Sequence, residues 1–281
     1  MRIGTAAIEE MARTIRRHII TMTLEAGDQG GHVSPALSMA EIMAALYFGV
    51  MDYDAKDPKW PGRDRFILSK GHGVLGYYPV LAEAGFFPVE MLKTFEKKDS
   101  YLGGHPCSKM VPGVDISSGS MGQGLPVGLG VAKAAVMDNL GYYVYVLIGD
   151  GELNEGSVWE AVMLAAQLKM DNLVAIIDKN GLQHDGFSAD IIGADPMAER
   201  FRSFGWGAVE CDGHSVSQLL EAFDGIKSDK GKPHVVIANT IKGKGVSFIE
   251  NKVEWHHALI DAGQAEKALL EIGGERSTSA P

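Results

Sequence analysis

Two polar residues stand at the ends of neighbouring apolar stretches, at a spacing that suits the binding of a metal ion. Asp150 lies between two glycines after the apolar stretch 142–148, and Asn180 follows a second apolar stretch, 173–177. Residues 155–168, between the two, carry apolar side chains at helical spacing. A strand, a helix and a strand of these lengths predict a βαβ unit with parallel, neighbouring strands. Asp150 and Asn180 should therefore meet at the carboxyl edge of the sheet, where open α/β sheets bind ligands.

The pair offers oxygen atoms to a hard cation and room for a phosphate group. An Asp carboxylate, an Asn amide oxygen and a backbone carbonyl are ligands that Mg²⁺ accepts while phosphate oxygens and water complete its octahedron. The glycines on both sides of Asp150 allow a diphosphate to approach the backbone, and the start of the next helix favours negative charge. The alternative is an ordinary βαβ unit with common turn residues, which the Gly-Asp-Gly turn taken alone would favour.

Three histidines occur in glycine-flanked loops ahead of this unit. His32 follows two glycines, His72 follows a glycine after the short apolar stretch 66–68, and His105 lies between a glycine and a proline. Imidazoles donate hydrogen bonds to phosphate and sugar oxygens and transfer protons near pH 7. A single loop histidine is more often solvated, but three in similar contexts ahead of a diphosphate site favour a functional role.

Two further segments carry residues suited to an anionic or flat ligand. The small-residue loop 117–126 lacks the Gly-x-Gly-x-x-Gly sequence, and no acidic residue follows at dinucleotide spacing, which excludes NAD. Its Gly119 and Met121 are placed to lie against a flat cofactor. Lys242 follows the apolar stretch 234–239 in a glycine-rich turn that suits contact with an anion, although a solvated loop is the usual explanation for such a lysine.

The composition is that of a soluble globular protein. The 281 residues allow one large α/β domain or two small ones, and 46% hydrophobic with 22% charged residues can build a full core. A net charge of −10 argues against nucleic acid or an anionic membrane as the main partner. The two cysteines, Cys107 and Cys211, have no metal-pair spacing, which fits a reducing compartment. The sequence has no signal peptide or membrane-spanning stretch, so the expected location is cytoplasmic.

The predicted architecture is α/β, a mostly parallel sheet with helices on both faces. Ser38 is expected to begin the helix 39–48, with Glu41 in a capping box. Residues 1–272 are expected to form one domain, and residues 273–281 a flexible polar tail. The other predicted elements are a strand within 64–72, strands at 142–148, 173–177, 206–210 and 234–239, and helices at 9–24, 127–138, 155–168, 195–204, 216–223 and 261–272.

Over nearly its whole length the chain resembles the amino-terminal, diphosphate-binding half of transketolases. The SKGH segment, rather than the DVGH form of deoxyxylulose-phosphate synthases, favours a transketolase proper. The resemblance implies the thiamine diphosphate-binding fold, thiamine diphosphate as cofactor, and Mg²⁺, with Ca²⁺ or Mn²⁺ as substitutes. The matching segments, in the family's order, are GGHVSPALSMAE, DRFILSKGHG, GGHP, SSGSMGQGLPVGLGVA, IGDGELNEGSVWEA, DKNGL and IKGKGVSFIENKVEWHHA.

The resemblance also implies which residues hold the cofactor. Asp150, Asn180 and the carbonyl of Leu182 would bind the metal, and Gly151 would donate to the diphosphate. Lys179 stands just before Asn180, where many members carry a second Asn. The other residues implied at the cofactor are His72, Gly119, Met121, Glu155, Lys242 and His256.

Roles in the reaction follow from the same resemblance. His256, preferred to the adjacent His257 because Trp255 precedes it, would exchange the proton of a substrate hydroxyl group. Glu155 would lie at a subunit contact and join a carboxylate network that links two active sites. The other implied catalytic residues line a channel around the thiazolium and the hydroxyl groups of the donor sugar, and they are His32, His72 and His105.

The pyrimidine-binding domain and the third domain of transketolases have no counterpart in this chain, so the resemblance implies a split enzyme. A separate carboxy-terminal subunit would complete the site, in an α₂β₂ assembly. Together they would transfer a two-carbon ketol unit from a ketose, a sugar phosphate or related anionic sugar, to an aldose. Two alternatives stay open: the diphosphate-binding subunit of another thiamine enzyme, of the 2-oxo acid dehydrogenase type, and a non-catalytic regulatory subunit that keeps the fold. The channel histidines argue against the first, and the intact metal set against the second.

Overall fold

A five-stranded parallel sheet forms the centre of the structure, a computed structural model that describes residues 2–273. Its spatial order is β1-β2-β3-β5-β4, and every neighbouring pair is parallel. The predicted parallel sheet is confirmed, and every predicted strand is present within a few residues of its expected place. The strands are β1 (Arg65–Leu68), β2 (Val144–Gly149), β3 (Leu173–Lys179), β4 (Gly207–Asp212) and β5 (His234–Asn239).

The central strands are apolar because helices cover both of their faces. Along β2, Tyr145 and Leu147 belong to one apolar cluster, whereas Val146 and Ile148 belong to the other, as the alternation of a strand requires. Burial on both sides explains why β2, β3 and β5 read as continuous apolar stretches. Polar ligands must therefore be bound at the ends of these strands rather than on their faces.

Helices lie on both faces of the sheet, as predicted. Within the described residues they are α1 (Thr5–Glu25), α2 (Val33–Leu37), α3 (Ala40–Ala45), α4 (Val74–Glu83), α5 (Gly124–Met137), α6 (Gly156–Gln167), α7 (Ser188–Ile192), α8 (Met197–Ser203), α9 (Val216–Ser228) and α10 (Ala262–Glu271). Side chains of α1, α3, α4 and α9 build the first cluster, and those of α5, α6 and α8 build the second. None of the helices in residues 2–273 combines the length and the apolar character that crossing a bilayer requires.

The capping box predicted at Ser38 is wrong. The chain is already helical before Ser38, whose own backbone angles are helical at φ −62° and ψ −32°. Its hydroxyl group donates to the Asp178 carboxylate at 2.6 Å. The Glu41 carboxylate accepts hydrogen bonds from Arg16 at 2.5 and 2.6 Å and pairs with His214 at 3.0 Å. The spacing of Ser38 and Glu41 suits a helix cap, but both side chains instead form buried contacts with residues that are distant in the sequence.

The last helix begins where the sequence predicts. The Asp261 carboxylate accepts a hydrogen bond from the Gln264 backbone N–H at 2.8 Å, and the Gln264 side chain accepts one from the Asp261 N–H at 3.1 Å. This reciprocal pair is a capping box, which satisfies two helix-end donors. The predicted tail, residues 273–281, lies outside the described residues apart from Gly273.

Candidate functional site

The carboxyl ends of β2 and β3 bring Asp150 and Asn180 together. The register pairs Gly149 with Asp178, so the chain leaves both strands at the same edge. One carboxylate oxygen of Asp150 accepts from the backbone N–H of Gly181 at 2.8 Å, the residue directly after Asn180. The βαβ geometry predicted from the spacing is therefore present.

The turn after β3 places the Leu182 carbonyl beside this pair. The Asn180 side-chain oxygen accepts from the Leu182 N–H at 3.2 Å, which closes the turn. Leu182 then pairs antiparallel with Phe187, and the Ser188 hydroxyl group returns to donate to Asp150 at 3.1 Å. The Asp150 carboxylate and the Asn180 amide oxygen are thus hydrogen-bonded to the turn that carries the Leu182 carbonyl, and all three residues line one cavity.

Lys242 lies at the same place, almost wholly buried. Its ammonium group donates to the carbonyls of Leu182 at 2.9 Å and Gln183 at 3.2 Å. Burial and the charge of Lys70 lower the pKa of Lys242 to about 8, although Asp150 and Asp178 favour its charged form. The predicted anion-binding lysine is therefore a buried group at the site and not a solvated loop residue.

These oxygen atoms fit a hard cation. Burial raises the pKa of the Asp150 carboxyl group, and the nearby Asp178 carboxylate raises it further, so a positive charge at this point would stabilise the ionised form. Carboxylate, amide and carbonyl oxygens are the ligands that Mg²⁺ and Ca²⁺ prefer. In residues 2–273 no three His, Cys, Asp or Glu side chains converge on a metal position, and of the three donors proposed here only Asp150 is of those residue types.

A buried ion pair, which the sequence reading missed, lies next to these groups. The Lys70 ammonium donates to Asp178 at 2.5 Å and to the Pro35 carbonyl at 2.8 Å. Burial would raise the pKa of Asp178, but the charge and hydrogen bond of Lys70 hold it below its usual range. The sequence signal that could have revealed this pair is Asp178, which directly follows the apolar stretch of β3, because a buried charge requires a partner.

Glu152 is a second residue that the sequence reading missed. It is 1% exposed, and its carboxylate accepts from the Ser69 hydroxyl group at 2.5 Å and from the N–H groups of Gly122 at 2.7 Å and Gly149 at 3.2 Å. It therefore joins the turn after β1, the small-residue loop and the end of β2. Burial raises the pKa of Glu152.

The small-residue loop lies against the histidines. A Cβ on Gly119, whose φ is 146°, would lie 2.9 Å from the ring of His105, so only glycine fits there. The Ser118 hydroxyl group fixes the loop by donating to the Leu68 carbonyl at 2.6 Å. Glu155, at the start of α6, is exposed.

The predicted histidines form one cluster. The ring centroid of His32 lies 5.2 Å from that of His72, 6.4 Å from that of His105 and 5.4 Å from that of His256. His257 also belongs to it, 4.7 Å from His32. Loops from four separate parts of the chain supply these rings, so the grouping could not follow from local spacing alone.

Burial keeps the inner imidazoles neutral at pH 7. Together with neighbouring positive groups it lowers the pKa of His32 to about 4, of His72 to about 2 and of His256 to about 3. Neutral imidazoles can donate at one ring nitrogen and accept at the other. The sequence reading missed His184, an exposed residue whose ring lies 5.1 Å from that of His256.

Two adjoining cavities contain these groups. His72 lines both of them, and the second, of about 200 Å³, is also lined by His32, His105 and His257. The first cavity therefore contains the proposed cation ligands together with lysine and histidine side chains. The second cavity extends the site along the histidines. The first cavity, of about 290 Å³, is lined by Pro35, Lys70, His72, Met121, Gly149, Asp150, Gly151, Glu152, Glu155, Asn180, Leu182, Gln183, His184, Lys242 and His256.

Comparison with known proteins agrees with this geometry. Residues 8–278 match the family model "Transketolase, thiamine diphosphate binding domain". The chain is 46% identical to one subunit of the apulose-4-phosphate transketolase of Actinobacillus succinogenes, over 95% of this chain and 96% of that protein. It is 40% identical to 6-deoxy-6-sulfo-D-fructose transketolase subunit SqwG of Clostridium sp. (strain MSTE9), over 95% of this chain and 97% of that protein.

A solved structure has the same fold. Transketolase from Campylobacter jejuni superposes with a TM-score of 0.91 and 29% identity, over 99% of this chain and 44% of that one. The chain thus spans less than half of that transketolase but nearly all of the two subunits. The sequence prediction of a thiamine diphosphate-binding fold is confirmed. This chain belongs to the transketolase family, as a thiamine diphosphate binding domain.

Proposed function

We propose that this chain is the amino-terminal subunit of a two-subunit, thiamine diphosphate-dependent transketolase. The reaction would transfer a two-carbon ketol unit from an anionic ketose to an aldose. The observation that carries the proposal is the junction of the two cavities at His72, where the oxygen atoms proposed to bind a cation and two buried lysines adjoin a cluster of histidines. Relatives of the same length, which are transketolase subunits by name, support both the activity and the split organisation.

The metal would be held by Asp150, Asn180 and the carbonyl of Leu182. Mg²⁺ is the proposed ion, with Ca²⁺ or Mn²⁺ as substitutes, because all three donors are oxygens. The cation would stabilise the ionised form of the buried Asp150 carboxylate and would supply positive charge for binding the diphosphate. Gly151, Lys242 and His72 line the same cavity and are proposed to contact the diphosphate, while Gly119 and Met121 would lie against the aminopyrimidine ring.

Histidine side chains of this protein would orient the substrate and accept the proton of its hydroxyl group. Thiamine diphosphate, when bound, supplies the carbon nucleophile and the electron sink for cleavage of the ketose. His256 lines the cofactor cavity, so its neutral imidazole is placed to accept the proton of a substrate hydroxyl group. Such general-base assistance is worth ~10²–10⁴ in rate. His32, His72 and His105 would donate hydrogen bonds to the sugar hydroxyl groups.

The partner is a separate carboxy-terminal subunit that carries the pyrimidine-binding domain. Glu155 is exposed beside the first cavity, which fits its proposed place in a carboxylate network across a subunit contact. Large apolar side chains are exposed on the neighbouring helices α5 and α6, among them Met137, Met163 and Leu164. Such a surface is expected where another subunit packs. An α₂β₂ assembly would place two such sites in one molecule.

The donor class is proposed from two relatives. One is named for a sugar phosphate and the other for a sulfo sugar. Both names support an anionic ketose, with the phosphate or sulfonate bound mainly by the partner subunit. The net charge of −10 argues against nucleic acid or an anionic membrane as the main partner. Residues 1–272 are proposed as one domain with a short tail, and the free Cys107 and Cys211 support a cytoplasmic location.

Native mass spectrometry of the complex purified gently from its source tests this proposal. The expected species contains two copies of this chain, two copies of a second polypeptide, and bound thiamine diphosphate with a divalent metal. A homodimer of this chain without cofactor would contradict the split transketolase. Activity of the complex on a 2-oxo acid instead of a ketose would assign it to the other class of thiamine enzymes.

A further inference from the structure

Gln183, the residue after Leu182, is held in place by hydrogen bonds of its backbone. The Gln183 N–H donates to the Gly186 carbonyl at 2.8 Å, and the Gln183 carbonyl accepts from the Lys242 ammonium at 3.2 Å. The adjoining Leu182 pairs with Phe187 across the turn. The direction in which the Gln183 side chain leaves the turn is therefore fixed without any hydrogen bond from its own amide group.

That side chain lies directly against Gly151. A Cβ built on Gly151 would lie 2.7 Å from Cγ, 2.9 Å from Cδ and 3.3 Å from Oε1 of Gln183. Glycine is thus required at position 151 for the amide group to occupy this place. The amide group lies over the first residue after Asp150, in the wall of the 290 Å³ cavity.

The amide nitrogen of Gln183 is buried and has no hydrogen-bond partner among residues 2–273. Oxygen atoms nearby are already engaged: Asp150 accepts from Gly151, Gly181 and Ser188, and the Leu182 carbonyl accepts from Lys242. A buried donor without an acceptor is unfavourable, so native sites rarely leave one unsatisfied. An oxygen atom of a ligand bound in this cavity would supply the acceptor.

The charges around the cavity identify that acceptor. Lys70 and Lys242 line it together with the Asp150 and Glu152 carboxylates, and Lys70 is paired with Asp178. With the proposed cation at Asp150, the cation and the Lys242 ammonium would favour an anion with several oxygen atoms. We infer that Gln183 is a further cofactor-binding residue, whose amide N–H donates to a diphosphate oxygen of thiamine diphosphate. The inference rests on the proposed function and adds to it a contact that neither the metal ligands nor Lys242 supply. An amide adds a directed hydrogen bond without a third positive charge.

A series of substitutions at one position tests this contact. Gln183→Met keeps the length of the side chain and removes the donor, Gln183→Glu replaces the donor with an anion, and Gln183→Lys restores a donor. The dissociation constant of thiamine diphosphate, with Mg²⁺ in excess, is measured by titration calorimetry on this chain assembled with its partner subunit. Asp185→Asn, at an exposed position of the same turn, is the matched control. Circular dichroism establishes that each variant is folded.

The dissociation constant should rise by about 10- to 100-fold in Gln183→Met, because a hydrogen bond to a charged group is lost. It should rise further in Gln183→Glu, recover in Gln183→Lys, and stay unchanged in Asp185→Asn. Values for Gln183→Met and Gln183→Glu within twofold of the wild type would overturn the inference. In that case tight binding by the wild type would leave the proposed function standing, whereas a wild type that binds no thiamine diphosphate would contradict both.

Discussion

The Lys70 ammonium and the Asp178 carboxylate form an ion pair of 2.5 Å in which both side chains are almost wholly buried. Asp178 also accepts hydrogen bonds from Ser38 and Thr240, so one carboxylate connects α2, the end of β3 and the turn after β5. That turn carries Lys242. The pair therefore fixes the relative positions of the segments that line the first cavity.

Breaking this pair from one side should destabilise the protein strongly. Asp178→Asn or Lys70→Met leaves one buried charge without its partner, so the free energy of unfolding should fall by ~3–5 kcal/mol. Urea denaturation at pH 7 measures the change. The exposed pair Lys97 and Glu25 provides the matched control, because Lys97→Met should cost about 1 kcal/mol or less. Equal losses at the two pairs would contradict a structural role for Lys70 and Asp178.

Acid should destabilise the free chain through the histidine cluster. An unfolded histidine takes up a proton near pH 6.5, whereas His32, His72 and His256, with pKa values of about 4, 2 and 3, stay neutral in the folded state. The unfolded state therefore binds more protons below pH 6.5, and the free energy of unfolding should fall as the pH falls from 6.5 to 5. The loss is at most ~2 kcal/mol per histidine, reduced by solvent access to the cluster.

Urea denaturation at pH 7, 6 and 5 measures this dependence on pH. His72→Asn should flatten it, since the substitution removes the most buried of the three imidazoles from the titration. The wild type serves as the control. Because the two proteins have the same carboxyl groups, a difference between their slopes arises from His72. An unchanged slope in His72→Asn would show that this imidazole does not remain neutral on folding.

His256 should act in turnover and not in holding the cofactor. In the enzyme assembled with its partner, His256→Ala should lower kcat by ~10²–10⁴ while the dissociation constant of thiamine diphosphate stays nearly the same. His257→Ala should have a smaller effect, since His257 lines the second cavity and is not among the residues that line the first. Loss of cofactor binding in His256→Ala would reassign His256 to the cofactor, and a larger effect at His257 would exchange their roles.

Asp150 should be essential for the metal-dependent binding of the cofactor. Asp150→Ala removes the one carboxylate among the three proposed ligands, so Mg²⁺-dependent binding of thiamine diphosphate should be abolished. Titration calorimetry with and without Mg²⁺ measures this directly. Asp190→Asn, which alters an exposed carboxylate in α7, should bind as the wild type does. Unchanged binding in Asp150→Ala would remove the metal assignment.

The strands and the meeting of Asp150 with Asn180 could be predicted because their signals are local. The apolar stretches, the glycines around Asp150 and the spacing to Asn180 together define a βαβ unit, and parallel pairing then places both residues at one edge. The helix start at Asp261 was predictable for the same reason, since the backbone group that this side chain caps lies three residues away.

The buried pairs could not be predicted because they join distant parts of the chain. Ser38 and Glu41 have the spacing of a helix cap, yet Ser38 pairs with Asp178 and Glu41 with Arg16. These contacts depend on how α1, α3 and β3 pack, which local spacing does not determine. The role of Gln183 is similarly hidden, because its contact with Gly151 exists only after the two turns meet.

The transfer of a two-carbon unit tests the central claim most directly. This chain is mixed with its carboxy-terminal partner, thiamine diphosphate and Mg²⁺, and the aldose product is measured with a phosphorylated and a sulfonated ketose as donors. Activity that requires both subunits and disappears in Asp150→Ala is the result predicted here. Full activity of the partner without this chain, or no ketol transfer from any anionic ketose by the assembled pair, would contradict a split transketolase.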